Sequence, residues 1–164
     1  MSTYSIRPIT RSEIPQCVEL IREGFLTVAM DFGFTKELSP KFTGFSISED
    51  GLYWQFDVEK RPMFVYMQDS EAVGYYSMTN PQDWRVELNN LSVLPKYRHH
   101  GIGKTMVEHC CKLAREKGCE AVTVVIVEEN RRLRKWYESL GFVHKGVTEA
   151  EGFEFHLGHL TKFI

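Results

Sequence analysis

Cysteine is scarce in this 164-residue chain and follows no recognised pattern. The four cysteines are Cys17, Cys110, Cys111 and Cys119, so the sequence has no Cys-x-x-Cys pair and no second close pair to complete a zinc site. This usage argues against a disulfide framework and against a structural metal. We therefore expect reduced cysteines, a cytoplasmic location and no metal ion.

Long apolar segments and an excess of one charge are also missing. No stretch is apolar enough to span a bilayer, and Met1 to Pro15 lacks the apolar core of a secretory signal. The formal net charge is −2 with both signs spread along the chain, so we expect neither a membrane nor a nucleic-acid partner. The length predicts a single domain over residues 1–164 with a core of its own.

The most informative stretch covers residues 91–104. Its apolar residues alternate as in a strand up to Val93, and Pro95 must end that strand because it has no N–H to donate. Gly101 and Gly103 follow, and a helical pattern begins after them. Unpaired N–H groups should therefore converge at a helix N-terminus, which favours a bound anion such as a phosphate.

Two other phosphate motifs do not fit this stretch. A dinucleotide fingerprint would need a third glycine where the chain has Met106. A Walker loop would need a glycine where Arg98 stands. A glycine pair between a strand and a helix can also be a simple connector. The prediction of an anion site therefore depends on the whole order of strand, proline, arginine, glycines and helix.

Hydrophobic periodicity predicts the other elements. Strands are expected over residues 4–9, 61–67, 72–78, 84–94, 121–127, 142–147 and 153–160, and helices over 14–30, 48–59, 103–117 and 130–140. Pro8 predicts a sheet edge, Thr10 and Glu13 have capping-box spacing, and the β-branched run from Ala121 to Val127 predicts a buried central strand. The order predicts an α/β (α+β) mixed sheet with helices on both faces and one β-α-β crossover.

Two motifs in this frame point to a known family. The first is Val93-x-Pro-x-x-Arg-x-x-Gly-x-Gly103, and the second is Asn130 followed by the run Trp136–Phe142. Asn130 lies seven residues before Tyr137. Through both motifs, the chain resembles the GNAT superfamily of N-acetyltransferases from about residue 61 to residue 160, whereas the amino-terminal part carries no such signature.

The resemblance implies the GNAT acyl-CoA N-acyltransferase fold, acetyl-CoA as the donor, and direct transfer to a small amine, an amino-acid derivative or a peptide. Backbone N–H groups after Pro95 would hold the diphosphate, and the preceding strand would pair with the pantetheine arm. That strand usually bulges, and Asn89-Asn90 is the expected place. The implied cofactor-binding residues are Leu91, Ser92, Val93, Arg98, His99, His100, Gly101, Ile102, Gly103, Lys104 and Asn130.

The resemblance also suggests the residues that move protons. An alkyl ammonium has a pKa of about 10.4, so a base must deprotonate it before attack. Glu87, six residues before Val93, resembles the base of the histone-modifying branch, and its alternative is a solvated carboxylate with water as the base. Tyr137 matches the tyrosine near the sulfur and is the expected general acid, with a packed aromatic as its alternative. The glutamate that other members place on the next strand is replaced here by Val125.

Several alternatives stay open. Arg98 could contact a phosphate or form a salt bridge on the turn, and Asn130 could contact the cofactor or only cap its helix. A non-catalytic acyl-CoA sensor with the same fold would carry the same motifs, and a homodimer is compatible with them. Six aromatic side chains could wall the acceptor pocket or belong to the core: Phe32, Phe34, Phe45, Tyr53, Trp54 and Tyr75.

Overall fold

The computed structural model describes residues 3–164, which form a seven-stranded mixed sheet covered by helices on both faces. The strands are β1 (Tyr4–Pro8), β2 (Met63–Gln68), β3 (Glu71–Met78), β4 (Arg85–Val93), β5 (Ala121–Val127), β6 (Val143–Thr148) and β7 (Leu157–Phe163). The α-helices are α1 (Ile14–Phe32), α2 (Thr43–Ser46), α3 (Glu49–Trp54), α4 (Ile102–Glu116) and α5 (Arg131–Ser139).

The strand order is β1-β2-β3-β4-β5-β7-β6, and only β4 and β5 are parallel neighbours. Helix α4 makes the crossover between them, as predicted. Strand β1 lies at one edge of the sheet, which confirms the interpretation of Pro8. The mixed sheet predicted from the element order is confirmed.

The two faces of the sheet have separate cores. On one face, α1 and α3 bury Ile14, Ile21 and Leu52 against Tyr75 of β3. On the other face, α4 and α5 pack against the central strands through a cluster that includes Met106. All four cysteines are buried and free, as their spacing predicts.

Local signals fix where the helices begin and end. Thr10 and Glu13 form the predicted capping box ahead of α1. Gly33 ends α1 and Gly118 follows α4, both in the left-handed conformation with φ of 73° and 79°. The predicted helix over residues 48–59 is α-helical only to Trp54 and continues as a π-helical segment over Gln55–Glu59.

The last strand begins later than its pattern predicts. Phe153 and Phe155 were expected in a strand over residues 153–160, but β7 begins at Leu157. Phe155 instead stacks on Phe34 with ring centroids 4.6 Å apart. Between the two phenylalanines, Glu154 accepts a hydrogen bond of 2.8 Å from the Ser39 hydroxyl. These contacts hold the β6–β7 loop against the loop after α1, so tertiary packing overrides the strand pattern.

Across residues 3–164, every helix falls short of the length or the apolar character that a membrane crossing requires. The cytoplasmic location stays a prediction.

Candidate active site

The two parallel strands at the middle of the sheet separate from each other. Strands β4 and β5 pair only where residues 85–87 face residues 121–123. Beyond that point β4 stays with β3 and β5 stays with β7. Between the strands lies an opening, here called the wedge, bounded by residues 88–93 of β4 and 124–127 of β5. Five of the seven residues of β5 are buried, as expected for a central strand, whereas Val125 is 41% exposed.

A bulge in β4 accompanies this separation. Tyr75 pairs with Ser92 and Ser77 pairs with Asn89, so β4 contains one more residue than β3 between these pairs. Asn90 adopts a left-handed conformation with φ of 53°, which asparagine tolerates better than most residues. The bulge predicted at Asn89-Asn90 is confirmed.

Backbone donors of β4 face the wedge after the bulge. The N–H of Leu94 donates to the carbonyl oxygen of Val73 at 2.9 Å, so it points towards β3. Because successive amides of a strand point to opposite edges, the N–H groups of Val93 and Leu91 point away from β3. They are available at the place where a pantetheine arm and a thioester oxygen are expected.

Further unpaired backbone N–H groups lie in the turn after β4. Within residues 3–164, the N–H groups of His99–Lys104 have no hydrogen-bond acceptor, and the first helical bond runs from the Thr105 N–H to the Gly101 oxygen at 3.0 Å. His99 and Gly101 have positive φ values of 66° and 83°. These donors sit at the positive end of the dipole of α4, so the geometry matches the predicted anion site.

The two glycines of this turn serve different purposes. A Cβ on Gly101 would meet no atom within 4 Å, so glycine is favoured there by its positive φ. A Cβ on Gly103 would lie 3.1 Å from Cζ2 of Trp136. Gly103 therefore also allows α4 and α5 to approach closely, which the sequence motif did not reveal.

Arg98 ties the turn to the opposite layer of the fold. Its guanidinium donates three hydrogen bonds of 3.1 Å: to the Val93 oxygen, to the Gly24 oxygen and to the Thr27 hydroxyl. Burial lowers the pKa of Arg98 from its usual value. Over residues 3–164, the alternative of a salt bridge on the turn is not realised, because these donors are directed towards β4 and α1. Contact between Arg98 and the cofactor stays a prediction.

Asn130 caps α5. Its side-chain oxygen accepts a hydrogen bond of 3.1 Å from the N–H of Leu133. The capping role is therefore confirmed, and a contact with the cofactor arm stays a prediction.

Tyr137 is packed inside the α4–α5 layer. It is 5% exposed, and its ring meets Trp136 and Phe142 edge to face at 4.9 and 5.2 Å. Burial raises the pKa of Tyr137 above its ordinary value, so the hydroxyl keeps its proton at neutral pH. The packed-aromatic alternative is therefore confirmed, and the role of Tyr137 as general acid stays a prediction.

Glu87 lies where the wedge begins. It belongs to the last residue pair between β4 and β5, opposite Thr123. Its neighbours Val86 and Leu88 belong to the α4–α5 core, so alternation places the Glu87 side chain on the other face of the sheet. The candidate acid and the candidate base consequently belong to opposite faces.

The six aromatic residues proposed for a pocket wall do not form one group, although Phe32 stacks on Phe34 with ring centroids 5.6 Å apart. Phe34 and Phe45 pack around Phe42 at the end of α1, whereas Tyr75 is fully buried beneath α1 and Trp54 is 55% exposed. Over residues 3–164, no three His, Cys, Asp or Glu side chains are grouped so that they could hold a metal ion.

A family model described as the acetyltransferase (GNAT) family matches residues 31–142. The chain belongs to the GNAT family. The matched region runs from the end of α1 through α5, so it contains the wedge, the turn and both candidate proton-transfer residues.

Two curated relatives match a shorter part of the chain than the family model does. A thialysine N-epsilon-acetyltransferase from Bos taurus is 31% identical over 78 residues, which are 48% of this chain and 45% of the relative. A streptothricin acetyltransferase from Streptomyces lavendulae is 25% identical over 108 residues, which are 65% of this chain and 57% of the relative. The chain thus spans about half the length of the curated relatives that it matches.

Solved GNAT structures resemble the whole chain in fold. The PaiA N-acetyltransferase from Thermoplasma acidophilum, in complex with coenzyme A, has a TM-score of 0.77 and 20% identity, with 99% of each chain covered. The ribosomal-protein-S18-alanine N-acetyltransferase from Escherichia coli has a TM-score of 0.76 and 16% identity. The match covers 99% of this chain and 94% of that structure. These likenesses confirm the predicted GNAT fold.

Proposed function

We propose that this protein is an acetyl-CoA-dependent N-acetyltransferase that moves an acetyl group directly to a primary amine, with residues 1–164 acting as one domain. The observation that carries the proposal is the continuity of free backbone donors, from Leu91 and Val93 at the wedge to His99–Lys104 at the turn. An extended arm ending in a diphosphate would satisfy both sets of donors at once.

The residues would divide the reaction as follows. Glu87, directly or through a water molecule, accepts a proton from the ammonium, and the amine nitrogen then attacks the thioester carbon. The N–H of Val93 stabilises the negative charge on the carbonyl oxygen. When the C–S bond breaks, Tyr137 gives its proton to the leaving sulfur. The nitrogen, which still carries one extra proton after its attack, returns that proton to the Tyr137 oxygen through water, and Glu87 releases its own proton to solvent. The products are an amide and coenzyme A.

The acceptor is an amine of a small molecule, an amino-acid derivative or a peptide. Support comes from the names of two relatives, which are acetyltransferases of thialysine and of streptothricin. The non-catalytic sensor would use the same turn and wedge, so the two functions differ only in turnover.

The test combines thiol release with calorimetry. Purified protein is assayed with acetyl-CoA against a panel of small amines, amino-acid derivatives and peptides, and coenzyme A binding is titrated in parallel. We expect binding, and release above the hydrolysis background with at least one acceptor. Binding without release on any acceptor would favour the sensor, and absence of binding would reject both functions.

A matched pair of glycines tests the turn itself. Gly101 and Gly118 lie at opposite ends of α4, both have positive φ, and a Cβ on either would meet nothing within 4 Å. Gly101→Ala and Gly118→Ala should therefore cost a similar stability, about 1 kcal/mol. Only Gly101→Ala should weaken coenzyme A binding, by roughly tenfold, because it displaces the donors of the turn. Equal affinities of the two variants would contradict this diphosphate site.

A further inference from the structure

A series of hydrogen-bonded side chains holds the carboxylate of Glu87. The side-chain N–H of Asn89 donates to Oε2 of Glu87 at 3.1 Å, and the Asn89 oxygen accepts from the guanidinium of Arg61 at 3.1 Å. Arg61 is also paired with Glu59. This hydrogen-bonded series, Glu59–Arg61–Asn89–Glu87, therefore connects the π-helical segment after α3 to the start of the wedge.

Arg61 and Glu59, at the end of the series away from Glu87, are held by further contacts. The Arg61 side chain is only 15% exposed, and its backbone N–H donates to the Gln55 oxygen at 3.0 Å. The Asn80 side chain donates to the backbone oxygen of Glu59 at 3.1 Å. A charged group with these fixed contacts holds the Asn89 amide in one orientation, because its oxygen must face the guanidinium.

The backbone of Glu87 is fixed as well. Its N–H donates to the Thr79 hydroxyl at 2.9 Å, and its carbonyl oxygen accepts from the Thr79 N–H at 2.9 Å. Over residues 3–164, Oε1 of Glu87 has no hydrogen-bond donor, whereas Oε2 has Asn89. One carboxylate oxygen is thus anchored and the other is free to take a proton.

Charge alone does not explain this arrangement. Arg61 already has a carboxylate partner in Glu59, so its positive charge is largely balanced before it reaches Asn89. The Asn89 amide lies between two charged groups, and its oxygen can only accept while its nitrogen can only donate. When Arg61 fixes the oxygen, the position of the N–H groups that contact Glu87 is fixed as well. Asn89 also directly precedes the bulge at Asn90, where the regular strand geometry that would otherwise aim the side chains ends.

We propose that Asn89 and Arg61 are positioning residues for the transfer reaction: Arg61 fixes the Asn89 amide, which holds Oε2 of Glu87 so that Oε1 faces the acceptor amine. This inference rests on the proposed function and on Glu87 as the base. It adds two residues that lie outside both sequence motifs.

A double-mutant cycle separates positioning from simple stability. With an acceptor found in the amine panel, Asn89→Leu in the otherwise native protein should lower kcat roughly tenfold and change KM and coenzyme A affinity by less than about twofold. In the Glu87→Gln background the same substitution should have little further effect on kcat, because the group that it positions is already lost. Arg61→Met should lower kcat in the same direction, and Arg61→Lys should restore part of the loss.

Controls keep the result interpretable. Asn89→Asp still accepts from Arg61 but cannot donate to Glu87, so it should reproduce the kcat loss even if Asn89→Leu folds poorly. Gln82→Leu replaces an exposed amide in the β3–β4 connection that makes no side-chain hydrogen bond within residues 3–164, and it should leave kcat unchanged.

Three results would overturn the inference. An equal loss of kcat from Asn89→Leu in both backgrounds would leave Asn89 a merely structural role. Unchanged kcat in Glu87→Gln would remove the base that is being positioned, although acetyl transfer itself would stand. No turnover by the native protein with any amine would reject the proposed function and this inference together.

Discussion

Tyr137 and Glu87 have different surroundings, and these determine how each can handle a proton. The Tyr137 ring is enclosed by aromatic neighbours, which favours its protonated form. The Glu87 carboxylate is half-buried and has one anchored oxygen. In the proposed mechanism, Tyr137 is the proton donor and Glu87 is the proton acceptor, and each role has its own test.

Replacing the Tyr137 hydroxyl tests the acid. Tyr137→Phe keeps the ring packing and removes only the proton donor, so kcat should fall by roughly 100-fold while coenzyme A affinity stays within about twofold. Steady-state kinetics and calorimetry measure the two quantities. Tyr66→Phe changes another buried tyrosine, on β2, and should be neutral for kcat. An unchanged kcat in Tyr137→Phe would assign the proton to another donor.

Replacing the carboxylate tests the base. Glu87→Gln keeps the shape of the side chain and an oxygen that can accept from Asn89, but it cannot take a proton at neutral pH. The rate should fall, and the decline of the native rate towards low pH should disappear from the profile of kcat/KM against pH. If the variant keeps the native profile, water or another group is the base.

The start of α1 is the element whose stability depends most clearly on pH. Glu13 accepts hydrogen bonds from the Arg7 guanidinium at 2.7 and 2.9 Å and from the Thr10 N–H at 2.8 Å. The Arg7 guanidinium lowers the pKa of Glu13 from 4.5 to about 2, with help from Thr10. This contact joins β1 to α1 through the predicted capping box.

Acid should weaken the contact between Arg7 and Glu13. Because the folded pKa lies below the unfolded one, the stabilisation is complete above about pH 5 and disappears as the pH falls towards 2. The shift allows at most roughly 3 kcal/mol, and since the Arg7 side chain is 39% exposed we expect about 1–2 kcal/mol. Glu13→Gln should lose that amount at pH 7 in urea unfolding.

A matched substitution on the same helix provides the control. Glu19 pairs with Arg22 three residues later and is 72% exposed. Glu19→Gln should therefore change the free energy of unfolding by less than about 0.5 kcal/mol. Losses of equal size in the two variants would contradict the special role of Glu13.

At the scale of the whole molecule, the sheet separates two helix layers, and Arg98 connects them. Its side chain leaves the turn before α4 and reaches the Gly24 oxygen and the Thr27 hydroxyl of α1. Gly24 also lies close to β4, since a Cβ there would be 3.2 Å from the Ser92 Cβ. The proposed cofactor turn and the helix on the opposite face are thereby held in one arrangement.

Breaking this connection should be visible in ligand-induced stabilisation. At a coenzyme A concentration 100 times its dissociation constant, the native protein should gain about 2.7 kcal/mol. Arg98→Met should bind roughly tenfold more weakly and gain about 1.3 kcal/mol less at the same concentration. Thermal unfolding with and without coenzyme A measures both, and Arg115→Met on the exposed end of α4 is the control. An unchanged gain in Arg98→Met would show that the tether does not support the turn.

The features that the sequence determined are local. The capping box of α1, the left-handed Gly33 and Gly118, and the bulge at Asn89-Asn90 depend on dihedral preferences and hydrogen bonds within a few residues. The free donors at the N-terminus of α4 follow from the order of proline, glycines and helix for the same reason.

Tertiary structure alone decided the contacts that join distant parts of the chain. Asn89 meets Arg61 across 28 positions, Arg98 meets Gly24 across 74, and Ser39 meets Glu154 across 115. No periodicity or motif encodes such pairs, because each depends on how the twisted sheet and its two helix layers place side chains in space. The same packing moved the start of β7 to Leu157 and separated β4 from β5 beyond Glu87.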